Sequence, residues 1–185
     1  MVTADVALKE WATVVGALAS GEQLLVVRKG GIQDPKGMFQ LEYREFFLYP
    51  TLEHQKEELI RPEFRGRFSF SDGPEKIPFQ VYAGIAFCAE IKNPETFLKL
   101  QKYHIWMPEF FEKRMEYKPD EPALAVVLRA YRLKEPVLHP VRPEYAGCRS
   151  WVKLAEPVQA AALDPVIDNR HFRLVLEEIA GCFGT

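Results

Sequence analysis

At 185 residues with 48% hydrophobic side chains, the chain can bury one sizeable core and is too short for two ordinary domains. Its formal charge of -2 excludes a global electrostatic pull toward nucleic acid or an anionic membrane, so any such binding must come from a local patch. Cys88, Cys148 and Cys182 are odd in number and far apart, which points to a reducing compartment rather than a disulfide framework. The opening MVTADVALKEW lacks a basic segment followed by an apolar stretch, and no apolar run approaches the ~18 residues that span a bilayer. The expectation is a single cytoplasmic domain over residues 1–185, with no membrane partner.

In chain order, Leu8, Trp11, Val15 and Leu18 recur at spacings of three and four, predicting an amphipathic helix over residues 5–19 closed by Gly21. Leu24-Leu25-Val26-Val27 and the alternating Phe39, Leu41, Tyr43 predict a hairpin around Gly30-Gly31, with Pro35 and Gly37 in its loop. A short helix is expected after Pro50, capped by Thr51, and then an irregular segment carrying Arg61, Arg65 and Arg67. The clearest strand follows, with Val81, Ala83, Ile85, Phe87, Ala89 and Ile91 on one face and Glu90 and Lys92 on the other.

Asn93-Pro94 is a cap and first-turn pair for a helix over residues 94–103, and a second short helix starts at Pro108. ALAVVLRAYRL, from Ala123 to Leu133, predicts a buried strand, Ser150 to Leu154 another, and Asp168 caps a last helix bearing Phe172, Val175, Leu176 and Ile179. Strands cluster as hairpins instead of alternating with helices, which disfavours a doubly wound sheet. The fold class read from this is α+β, with a mixed or mainly antiparallel sheet, closure into a small barrel and helices packed outside.

Four segments carry a resemblance: ALKEW with VVRKGGI, REFFLYPTLEHQ, HIWMPEFFEKR, and LRAYRLKEPV leading into YAGCRSWVKL. Together they resemble the domain-of-unknown-function family 1802 across nearly the whole chain. That family carries no established activity; members occurring beside restriction-endonuclease-like domains imply a role around DNA. The order of elements also looks like that of PUA-like and ASCH-like barrels, a resemblance that implies binding of RNA or modified bases, although no clean copy of their motifs is present.

Arg44 to Gln55 concentrates side chains able to move protons. If a helix begins near Thr51, His54 sits on its first turn beside free N–H groups, a setting for anions, and Glu45 or Glu53 can orient the imidazole for acid or base work. The bland account makes Thr51 a cap and His54 a surface or satisfied side chain. Asp72 with Glu90 and Lys92 matches a nuclease-like pattern for Mg²⁺, yet Asp72-Gly73-Pro74 reads first as a turn and Glu90/Lys92 as a solvated pair.

His104 and Trp106 could stack on a flipped or single-stranded base, although such a tryptophan is more often a core anchor. Arg28, Lys29, Arg61, Arg65 and Arg67, with Arg129, Arg132, Lys134, Arg142, Arg149 and Lys153, could form one phosphate groove or be scattered over solvated faces. Arg129, set in an apolar strand, needs a specific partner. Cys148 could be a nucleophile if His54 or His139 lay near it; a tight turn with a half-buried thiol is the plainer account. There is no C-x-x-C, no H-E-x-x-H and no paired histidine at helical spacing, so neither metal nor other cofactor is expected.

The leading functional expectation is a nucleic-acid-associated domain for modified or single-stranded DNA or RNA, binding through Arg28, Lys29, Arg44, Tyr49, His54, Gln55, His104, Trp106, Arg129 and Arg149. The alternatives are a small hydrolytic or nuclease-like enzyme using Glu45, Glu53 and His54, and a protein-interaction module without chemistry.

Overall fold

The computed structural model describes residues 1–29, 40–67 and 75–183. The expected first helix is divided: Val2–Trp11 is a strand, β1, and only Ala12–Ser20 is helical, α1. Leu8 and Trp11 fit a period of 3.6, but β1 lies between two other strands and is buried from Val6 through Glu10. Both of its backbone edges are therefore satisfied by the sheet, and that tertiary pairing decides the conformation. Gly21 ends α1 in the left-handed region, as expected, at φ 81°.

β2 (Leu25–Arg28) pairs antiparallel with β5 (Ala123–Pro140), not with residues 40–43. The predicted hairpin is therefore not formed, and its turn at Gly30-Gly31, with Pro35, Gly37 and Phe39, lies outside the described residues. β3 (Glu45–Thr51) lies parallel to β1, with Lys9 opposite Tyr49 and Trp11 opposite Thr51. No α-helix follows it: Thr51 Oγ1 accepts from the Glu53 backbone N–H at 3.1 Å, and two short 3₁₀ turns form, at Glu57–Leu59 and Pro62–Phe64. His54 consequently sits in a left-handed turn, φ 60°, and the helix-terminus setting predicted for it does not exist.

β4 (Lys76–Ile91) and β5 form the long central antiparallel pair. A register shift between Ile85 and Phe87 breaks the strict alternation expected there. Glu90 is exposed, and Asp72 lies outside the described residues. Asn93 caps α2 (Pro94–Lys99) by accepting from Thr96 N–H at 2.8 Å, and the chain then tightens into a 3₁₀ turn where further helix was expected. α3 (Pro108–Glu116), β6 (Trp151–Ala160), β7 (Leu163–Pro165) and α4 (Asn169–Gly181) complete the chain, with Asp168 capping α4 through two backbone N–H groups.

The sheet order is β2-β5-β4-β3-β1-β6, with β7 also on β5. Every pairing is antiparallel except β1 with β3, which is the mixed, mainly antiparallel sheet of an α+β fold that the sequence implied. Among the described residues no pairing joins β2 to β6, so the sheet is open between them.

Alternate residues of the central strands feed two cores. Leu8, Phe46 and Leu48 join the larger one beneath α1 and α4; Ala7, Phe47 and Tyr49 join a smaller one with Phe79 and Tyr145 on the opposite face. A tight aromatic group anchors α3: Trp106 stacks on Phe110 at 4.4 Å and Phe97 on Phe111 at 5.0 Å. With Phe110 and Phe111 inward, the helix leaves Lys113 exposed and Arg114 half-buried over Phe110.

Candidate functional site

Parallel pairing sends the carboxyl ends of β1 and β3 to one side of the sheet, and a cleft of about 270 Å³ opens there. Lys9, Glu10 and Trp11 come from the end of β1, and Arg28 from the end of β2 with Lys29 just after it; the α3 side contributes Lys113, Arg114 and Tyr117. The remaining lining comes from two turns, one after β3 with Glu53, His54 and Lys56, the other before β6 with Gly147, Cys148, Arg149 and Ser150. Seven Lys and Arg side chains line the cleft against two Glu, a local excess of five positive charges in a chain whose total is -2.

Three of these cations are built into the wall. Lys9, only 6% exposed, donates from Nζ to Glu53 Oε2 at 2.8 Å and to the Gly147 carbonyl at 3.0 Å, tying the two turns together. Arg28 donates to the Lys9 carbonyl at 3.1 Å, to Glu10 Oε2 at 3.3 Å and to Ser150 Oγ at 2.6 Å. Glu10, also 6% exposed, accepts the Trp11 N–H on its other oxygen at 2.8 Å. Lys29 is buried and donates to the Met115 carbonyl at 3.2 Å.

Burial holds the Lys29 ammonium below its ordinary range. Burial likewise lowers Arg114, and the nearby Arg28 charge adds to the effect. Arg114 lies over the Phe110 ring at 5.3 Å, and its Nε is enclosed with no hydrogen-bond partner among the described residues. The Glu10 carboxylate offsets only part of this, so an anion that enters beside the guanidinium stabilises its charge further.

His54 Nε2 and Cys148 Sγ face each other across the cleft at 3.1 Å. Chain positions 54 and 148 are brought together by the two turns that Lys9 links. Of the two histidines weighed as partners for this thiol, His54 is the one in contact; His139 is buried beside Phe79 and Tyr145 in the smaller core.

Arg28, Lys29, Glu53, His54 and Arg149, all expected at a site, thus converge. The other expected residues go elsewhere. Glu45 is exposed at the start of β3, opposite Gly84, about seven residues of strand, or roughly 20 Å, from the end that borders the cleft. It cannot work with Glu53 and His54, so the three-residue catalytic grouping is not formed. Arg44 is exposed beside Glu45, outside the cleft lining. Tyr49 is buried in the smaller core, where desolvation, with Glu53 adding to it, pushes its hydroxyl up to about 12. Gln55 Oε1 accepts the Thr13 N–H at 3.1 Å and so serves the start of α1.

His104 and Trp106, 0% and 1% exposed, are core residues that no base can reach, which corrects their assignment to binding. His104 Nδ1 accepts the Trp106 N–H at 3.2 Å while its ring stacks on Phe97 at 4.4 Å. Arg129 has the partners its strand setting demanded, the Ile167 carbonyl at 2.7 Å and Asn169 Oδ1 at 2.6 Å, and it clamps the start of α4 outside the cleft.

Sequence reasoning missed Lys9, Glu10, Trp11, Lys113 and Arg114. Had ALKEW been read as strand, its buried charged pair would have been the signal, because charges on a central strand must find partners.

The chain matches the model of the family described as domain of unknown function DUF1802 over residues 7–178. It belongs to that family. No curated protein matches the chain. Among solved structures it is similar to crystal structures of ASCH from Zymomonas mobilis. A mutant of that protein gives a TM-score of 0.42 at 13% identity, covering 93% of this chain and 94% of that one. The unmutated protein gives 0.40 at 11% identity, covering 93% of each. The likeness is too distant to carry ligand or chemistry to this DUF1802 chain.

Among the described residues no group of three or more His, Cys, Asp or Glu side chains is arranged to hold a metal ion. No described helix is long and apolar enough to cross a membrane.

Proposed function

We propose that the cleft is a phosphate-binding site through which this DUF1802 domain holds single-stranded nucleic acid. The observation that carries the reading is the convergence of seven basic side chains against two acidic ones on one concave surface of a chain with net negative charge. Three of the seven are fixed by hydrogen bonds to the protein, so their charge stays in place when the cleft is empty. Lys56 and Lys113 are exposed at the rim, and Arg114 and Arg149 are half-buried, within reach of an entering anion.

A recessed cleft of this size admits an extended strand or its end, whereas a duplex would present its backbone to the rim alone. Trp11 and Tyr117 in the lining offer aromatic faces for a base, the usual complement to a phosphate track in single-strand recognition. The part of the expected binding face that lay at His104 and Trp106 has no support from their burial.

The test is fluorescence anisotropy with labelled single-stranded RNA, single-stranded DNA and duplex of matched length, across a salt series. Single strands are expected to bind more tightly than duplex, more weakly as salt rises, and more weakly in Lys113→Ala/Arg114→Ala. Absence of salt-sensitive single-strand binding by folded protein would remove the proposal.

A further inference from the structure

The geometry points to a nucleophilic pair: we propose that Cys148, with His54 as its base and acid, takes the phosphoryl group from a phosphate monoester held in the cleft. The inference rests on the phosphate-binding reading above and adds chemistry to it. Its starting point is the 3.1 Å approach of His54 Nε2 to Cys148 Sγ. Packing does not explain that contact, since His54 is exposed and Cys148 half-buried.

Backbone geometry supports a purpose for the pair. His54 occupies the left-handed region at φ 60°, a conformation that non-glycine residues seldom adopt. Gly147, immediately before the cysteine, has φ 90°, where glycine is favoured. Lys9 holds both turns from beneath, through Glu53 next to His54 and the Gly147 carbonyl next to Cys148. Lys9 is thus a positioning residue for the pair.

The cleft then selects the electrophile. Phosphoryl transfer asks of a protein chiefly alignment and neutralisation of charge. An excess of five positive charges suits a dianionic phosphoryl group, and Arg114, with its unpartnered Nε, supplies a guanidinium in the same lining. A neutral carbonyl would leave that charge unused.

In the first step His54 Nε2 takes the Sγ proton and the sulfur electron pair attacks phosphorus. The S–P bond forms as the P–O bond to the leaving alcohol breaks, and the leaving oxygen takes the proton back from His54. Water then attacks the phosphocysteine while His54 accepts one of its protons. The S–P bond breaks, its electron pair returns to sulfur, which takes the proton back from His54, and inorganic phosphate departs. The sum is hydrolysis of a phosphate monoester.

The full chain should be assayed for release of inorganic phosphate from a terminally phosphorylated single-stranded oligonucleotide and from p-nitrophenyl phosphate, with p-nitrophenyl acetate alongside. In parallel, the alkylation of Cys148 by iodoacetate and iodoacetamide should be followed by mass spectrometry. Phosphate release is expected from both phosphate esters, reduced about 100-fold or more in Cys148→Ser and His54→Asn. Both variants should keep the wild-type circular dichroism spectrum. Relative to free thiol, iodoacetate should outpace iodoacetamide, and that preference should shrink in Arg114→Ala. No phosphate release by folded wild type, release undiminished in Cys148→Ser, or cleavage of the acetate ester alone would each overturn the inference. If single-strand binding persists in those cases, the phosphate-binding reading survives without the chemistry; if binding is also absent, both fall.

Discussion

Replacing Arg114 by alanine isolates one charge of the proposed phosphate track, and its consequence can be worked out from the cleft. Three of the seven basic residues, Lys9, Arg28 and Lys29, already spend hydrogen bonds on the protein. Lys56, Lys113 and Arg114 are the three lining cations counted for phosphates. Each contact with single-stranded nucleic acid contributes about -0.7 to the slope of log K against log salt, so three give a slope of about -2.1. Between about 50 and 200 mM salt, affinity should then fall roughly 20-fold. Arg114→Ala should bring the slope to about -1.4 and, by removing a charged hydrogen-bond donor worth about 1.5–3 kcal/mol, weaken binding at low salt by at least about tenfold. Anisotropy titrations of wild type, Arg114→Ala and Arg129→Ala provide the comparison. Arg129 is engaged at α4 outside the cleft, so its removal should leave the slope unchanged. A wild-type slope near zero, or the same slope with and without Arg114, would refute the assignment of phosphates to this surface.

Other outcomes follow from the buried groups. Arg28→Ala leaves Glu10 enclosed without its cation, which should cost about 3–5 kcal/mol in urea denaturation, and adding Glu10→Gln should restore part of it. Trp106→Ala should cost about 3–5 kcal/mol because it empties the stack beneath α3; a variant of native stability with impaired base binding would show that the indole was accessible after all. Burial lowers His104 to about 4, whereas the unfolded chain titrates near 6.5, so between these values only the unfolded chain takes up the proton. This contribution is fully present above pH ~6.5 and lost as pH falls toward ~4, by up to roughly 3 kcal/mol. Burial lowers His139 as well, with the same sign. The fall in urea midpoint with acidity should be shallower in His104→Asn yet not abolished; an unchanged pH profile would contradict the burial argument.

Local signals were legible where one element dictates its own chemistry. Asn93-Pro94, Asp168 and Gly21 act as the caps and stop that their residue types imply, because a cap is satisfied by neighbours within a few residues. The two central strands, β4 and β5, were each readable from their β-rich runs, although their pairing and its register shifts were not, since both depend on the partner strand. ALKEW was misassigned because Leu8, Trp11, Val15 and Leu18 satisfy a helical period, while the pairing of β1 with both β3 and β6 leaves no mark in the local sequence.

The candidate site divides in the same way. From the sequence alone came the α+β class, the mainly antiparallel sheet and the need for any nucleic-acid binding to be local, since these follow from composition, clustering and net charge. That Arg28, Lys29, His54 and Arg149 share one cleft, while Arg44, His104, Trp106 and Arg129 do not, was decided by the parallel pairing of β1 with β3 and the turns that Lys9 joins. The His54–Cys148 contact is of the same kind: its two residues stand 94 positions apart. Residue type states what each side chain can do, and only the long-range closure of the chain settles which of them meet.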